Sequence, residues 1–214
     1  MVDLFQALAE GKTDWFEARL AEDPSLASSR NEQGVPLLLV ALYHRQTELA
    51  EQVAEYLPAL DLLEAAALGR LPRIDVLLAE GAHPAMRSAD GFTPLHYSVF
   101  FGRSEAADRL LAAGAEVDVP ADNPSRVTPL HSAVASQCVD GVRSLLAAGA
   151  TVDSRQSGGF TPLMSAAGAG HEALVDLLLG AGAQPSLPSD DGRTAADLAE
   201  ERGHPDLAIR LRGL

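Results

Sequence analysis

Thr93-Pro94-Leu95-His96 returns as Thr128-Pro129-Leu130-His131 and, with methionine in place of histidine, as Thr161-Pro162-Leu163-Met164. An eroded fourth copy is Gly192-Arg193-Thr194-Ala195-Ala196-Asp197. From threonine to threonine the steps are 35, 33 and 33 residues. A second landmark, Leu-Leu followed by Gly-Ala, keeps phase with the first at Leu77-Leu78 and Gly81-Ala82, Leu110-Leu111 and Gly114-Ala115, Leu145-Leu146 and Gly149-Ala150, and Leu178-Leu179 and Gly182-Ala183. A period of this length constrains the fold more than any single motif, because no one unit can bury its apolar face alone and neighbours must stack.

Each unit has a local reading. Thr93 suits a helix N-cap, and Pro94 suits the first helical position, where its missing N–H costs nothing. The helix begun there runs through small residues to Gly102 and turns. A second helix follows, with Ala106, Ala107, Leu110 and Leu111 on one face and Gly114 as its C-terminal cap. A polar stretch rich in Asp, Asn, Gly and Ser then projects as a turn before the next pair.

Thr-Pro-Leu-His-x-Ala at a 33-residue step resembles the ankyrin repeat. The resemblance implies an all-α solenoid of stacked antiparallel helix pairs with projecting β-turn or hairpin fingers. It is clear from Leu62 to Ala199 and extends through weaker copies from Leu4 to Leu214. The chain then reads as one domain, 1–214, of seven helix pairs: a cap over 1–30, degenerate repeats over 31–60 and 61–89, repeats over 90–122, 123–156 and 157–189, and a closing cap over 190–214. Trp15, Phe16 and Leu20 are expected to seal the first end, and Glu200, Glu201, Arg202, Arg210 and Arg212 to make the last one polar.

The departures from regularity carry information. The positions equivalent to the inter-helix glycine are 45, 69 and 102, so one step is only 24 residues and the junction near Pro58 lacks room for a finger. The 35-residue step lengthens the finger over 116–127, with Asn123-Pro124 at its tip.

Composition narrows the function. A net charge of -14 disfavours phosphate backbones and anionic lipid surfaces, so no nucleic-acid or membrane partner is expected. Half of that charge lies in residues 1–61, pointing to a partner that is basic toward that end. A single cysteine, Cys138, excludes an intrachain disulfide or a thiolate-rich zinc site and fits a reducing compartment. The first residues carry no positive region, and the longest apolar run, 35–43, is too short to span a bilayer; a cytoplasmic, monomeric protein is expected.

Catalysis finds little support. His96 and His131 sit where the ankyrin resemblance implies a hydrogen-bonding strut, and no phosphate-binding loop, nucleophile elbow, metal cluster or cofactor motif is present in the sequence. The resemblance places partner binding on the concave face, at the residue after each finger glycine and at the ends of the first helices. Carried over, these are Val35, Tyr43, His44, Ala67, Leu68, Phe92, Phe100, Phe101, Val127, Ala135, Ser136, Phe160, Gly168, Ala169, Arg193, Glu201 and Arg202. Only 5% of the chain is aromatic, yet Tyr43, Phe92, Phe100, Phe101 and Phe160 fall at these few places. With His44 and Val127 they are the expected contacts for a protein partner with an apolar patch and a basic rim. The alternative is a small-molecule or enzyme-modulating role for the notch near Pro58.

Overall fold

A computed structural model describes residues 4–214. Met1, Val2 and Asp3, which begin the first expected unit and the stretch read for a targeting signal, lie outside the described residues. The described residues form fourteen α-helices in consecutive pairs: α1 (Leu4–Ala9) with α2 (Thr13–Glu22), α3 (Leu37–Tyr43) with α4 (Thr47–Tyr56), α5 (Leu62–Leu68) with α6 (Leu71–Ala79), α7 (Pro94–Phe100) with α8 (Ser104–Ala112), α9 (Pro129–Ala135) with α10 (Val139–Ala147), α11 (Pro162–Gly168) with α12 (Glu172–Gly180), and α13 (Ala195–Glu201) with α14 (Pro205–Arg212). Extended pairing among them is limited to an isolated antiparallel bridge between Arg30 and Pro36. The chain is an all-α helix-pair solenoid: α3, α5, α7, α9, α11 and α13 pack in one row, with α6, α8, α10 and α12 behind them.

The repeated threonines start the first helices. Thr93, Thr128, Thr161 and Thr194 hold extended φ/ψ and face the residue three positions on in a capping box. Pro94, Pro129 and Pro162 follow at the first turn. The turn between paired helices needs a left-handed residue. Glycine supplies it at Gly69, Gly102 and Gly170, but Arg45 (φ 59°) and Gln137 (φ 59°) hold the same conformation with a side chain attached.

The apolar interior forms two clusters. One runs from Leu62 and Ile74 through Leu95, Leu130, Leu163 and Leu198 to Leu211. The other gathers Phe16, Leu20, Leu37, Leu38, Leu39, Leu49 and Val53 with Leu63, Ala67, Leu68 and Tyr97. Phe16 and Leu20 close the first end from within, while Trp15 stays half-buried and packs edge-on to Phe16. Between Tyr56 and Leu62 there is no finger. Leu60 packs on both clusters, Arg73 Nε donates to the Leu60 carbonyl at 3.0 Å, and Asp61 and Glu64 cap α5 reciprocally.

Candidate functional site

The fingers are tied to one another in a ladder. Asp122 N donates to Gly91 O, Ser157 N to Ser125 O and Asp190 N to Gly158 O, each at 2.9 Å. Two histidines fasten the fingers to the helices. His96 Nδ1 meets both the amide and the hydroxyl of Thr93, and its Nε2 lies 3.0 Å from the Val127 carbonyl on the next finger. His131 repeats this with Thr128 and, at 3.1 Å, the Phe160 carbonyl. Burial pushes His96 down to about 4 and holds His131 below the usual imidazole range, so both rings are neutral struts at pH 7. Met164 takes the histidine position in the following unit; its sulfur accepts from Thr161 N at 3.4 Å.

The long finger turns at Asn123. Its side-chain carbonyl accepts from the Ser125 and Arg126 amides, and its Nδ2 donates to Asp90 O at 2.8 Å, so the tip is braced against the preceding finger.

The missing finger has a local consequence. The first finger approaches the one after next directly, and a Cβ added at Gly34 would stand 3.2 Å from Ala89 Cβ. Between α3 and α7 packs α5, which carries the small side chains Ala65, Ala66 and Ala67. Tyr43 at the end of α3 therefore reaches α7, with ring centroids 6.3 Å from Tyr97, 5.9 Å from Phe100 and 5.4 Å from Phe101. Phe92 packs against Tyr97 at 5.9 Å, and Phe101 stacks on Tyr97 with ring planes 12° apart. The hydroxyls of Tyr43 and Tyr97 both donate to the Asp90 carboxylate, at 2.9 and 2.6 Å. Burial above all, with the neighbouring Asp90 charge, raises both phenols and keeps them protonated.

Tyr43 and Phe100 are each 37% exposed. With Phe92 and Tyr97 they wall a pocket of about 260 Å³ that is completed by Val127, His96, His131, Ser132, Ala135 and Ser165 below and by Ser125 and Gln156 from the fingers. Of the seven expected contacts, the structure brings Tyr43, Phe92, Phe100 and Val127 to this pocket. Phe101 is half-buried and supports it from behind. His44 is exposed beside Tyr43, and Phe160 stands apart with the Arg193 guanidinium 5.5 Å above its ring.

Four of the other carried-over positions are buried: Val35, Ala67, Leu68 and Gly168. Arg103, whose Nε donates to the Ala67 carbonyl, and Arg202, which lies against Gly168, help cover that row of helix ends. Tyr97 and Asp90 were not among the sequence candidates. Tyr97 occupies the variable position of Thr-Pro-Leu-His-x and Asp90 sits in an ordinary polar turn, so only their meeting with Tyr43, which is 47 residues from Asp90, reveals them.

A family model described as "Ankyrin repeats (3 copies)" matches residues 62–156, and one described as "Ankyrin repeat" matches 158–190. The chain is 32% identical over 173 residues to the putative palmitoyltransferase ZDHHC13 of Danio rerio, a match covering 81% of this chain and 27% of that protein. It is 37% identical over 121 residues to neurogenic locus notch homolog protein 1 of Danio rerio, covering 56% of this chain and 5% of that protein. With the human ARF GTPase-activating protein GIT1 it shares 47% identity over 53 residues, 25% of this chain and 7% of the other. The matched stretch thus spans under a third of the length of these relatives.

Proposed function

Since this chain belongs to the ankyrin-repeat family, whose members generally mediate protein–protein interaction, we propose that it is a non-catalytic module that holds a protein partner on its concave face. The contacts are Tyr43, His44, Phe92, Phe100, Phe101, Val127 and Phe160, and the partner carries an apolar patch with a basic rim. One observation carries this reading. Two large aromatic side chains, Tyr43 and Phe100, stay more than a third exposed over a pocket whose remaining rings and struts are held in place behind them. Exposed aromatics on a rigid support are the usual anchors of an interface, because they lose little conformational freedom on binding.

A non-catalytic role is supported by the pocket's chemistry. No carboxylate, cysteine, lysine or arginine lines it, and both its imidazoles spend both ring nitrogens on threonine and backbone. The notch near Pro58 gains no comparable support, since Leu60 fills the junction. No helix among the described residues is long and apolar enough to cross a membrane. Cys138, half-buried beside the Ser104 hydroxyl, fits the reducing, cytoplasmic setting and monomeric state that belong to the same proposal. So does the division into seven units over 1–214.

The test is affinity capture from the native host with three baits: the unaltered chain, Phe100→Ser, and Val76→Ser on α6, a residue 46% exposed and absent from the pocket. Partners identified by mass spectrometry should be lost with Phe100→Ser and retained with Val76→Ser. Retention with both variants refutes the concave-face reading.

A further inference from the structure

We propose that the aromatic pocket receives the guanidinium of an arginine side chain from the partner. The proposal rests on the concave-face reading and deepens it, and four observations converge on it. The walls are the rings of Tyr43, Phe92, Tyr97 and Phe100, and π faces attract cations most strongly where water is excluded. A planar guanidinium also stacks on such rings, which a compact ammonium cannot do. Behind the wall stands the Asp90 carboxylate, which draws the hydrogens of both tyrosine hydroxyls and leaves their phenolic oxygens and rings richer in electron density.

The pocket also offers acceptors. Ser132 is 5% exposed and lines the pocket, yet its hydroxyl has no hydrogen-bond partner among the described residues. Ser165 and Gln156, both half-buried, add further acceptor oxygens. A guanidinium brings five N–H donors in a plane, whereas an aliphatic anchor would cover the Ser132 hydroxyl and satisfy nothing.

The lining itself carries no positive charge: it holds no lysine or arginine, and its two imidazoles are neutral. Arg87 on the adjoining finger keeps its charge and is felt at His96, but its guanidinium is tethered outside the lining on the Gly91 and Pro120 carbonyls. The net charge of -14 draws basic segments toward the molecule. A volume of about 260 Å³ falls below the range of drug-sized pockets and suits one side chain.

The experiment titrates the isotope-labelled chain with N-acetyl-arginine N-methylamide, with its citrulline counterpart of equal shape and no charge, and with the leucine counterpart, following the amide resonances of Phe100, Val127 and Ser132. The arginine probe should shift these resonances with a Kd about tenfold below that of citrulline. Phe100→Ala should weaken arginine binding at least threefold while the rest of the spectrum stays in place. Equal binding of citrulline, tighter binding of leucine, or no shift at these amides overturns the proposal. Should the arginine probe fail while Phe100→Ser still abolishes partner capture, the concave-face reading stands and this one falls. Should the probe bind as expected while capture is unchanged, the pocket's preference for a guanidinium is upheld, but the concave-face reading and the partner's arginine fall with each other.

Discussion

From α7 to α11 each unit is tied to the next by directional bonds: a neutral imidazole reaching the following finger, and a rung of backbone hydrogen bonds between fingers. From α1 to α6 the histidine strut is absent. Glu64 stands where the histidine would be and turns back to cap its own helix, while Leu37 to Leu42 on α3 are buried at every position. The first region fixes spacing, because a hydrogen bond tolerates little displacement. The second has scattered side-chain bonds between its units, such as Gln46 Nε2 to the Leu8 carbonyl and Arg70 to Glu51, but no repeated strut, and leans on burial, which has no preferred direction and accommodates the 24-residue step.

Acid should separate the two regions most. His96 is depressed to about 4 and His131 also lies low, whereas unfolded imidazoles take up protons near the ordinary value of 6.5. The stability these groups contribute is complete above that ordinary value and is lost as pH falls through the window down to about 4, on the order of 3 kcal/mol for His96. Glu64 has the opposite sign. Burial first, then the charge of Asp61, raises it, so its contribution is complete below the ordinary carboxyl value of 4.5 and is lost as pH rises through the raised one. Hydrogen exchange corrected for intrinsic rates, compared at pH 7 and pH 5, should show α7–α11 losing protection while α5 holds or gains it. Parallel losses in both regions would break the contrast.

A smaller effect sharpens it. His131→Ala removes a buried strut and should cost about 2 kcal/mol in urea unfolding. Glu64→Ala removes only a cap, at about 1 kcal/mol. Equal costs would mean that the strut adds nothing beyond capping. Smallest is a change that should act alike in both regions: Arg45→Gly and Gln137→Gly each relieve a side chain held at positive φ, and each should gain roughly 0.5 kcal/mol in the same assay. A gain at one position only would show that the turns of the two regions are not equivalent.

The row of helix pairs was legible because its signals are local and repeated. A threonine, a proline and a glycine at fixed offsets decide where a helix starts and stops whatever surrounds it. Even Arg45 could be placed by counting, as an equivalent of glycine. The aromatic pocket was legible only in part. The exposure of Tyr43 and Phe100 was legible because position within the unit predicts which way the end of a helix points. The burial of Ala67 and Gly168 was not, because position does not say whether an arginine from the next unit folds over them. Asp90 could not be read at all: its importance comes from two phenols that converge on it from different units.

The finger missing between Tyr56 and Leu62 bears on how such a pocket arises. A feature made by omission depends first on length, and after that on the few residues, Leu60 and Asp61, that seat the shortened junction. An insertion restoring regular spacing there would wedge a loop between Gly34 and Ala89 and pull Tyr43 off Tyr97. Substitutions in the same stretch that spare Leu60 and Asp61 would leave those rings together. A designer wishing to install such a pocket in a regular array would begin by cutting a turn out.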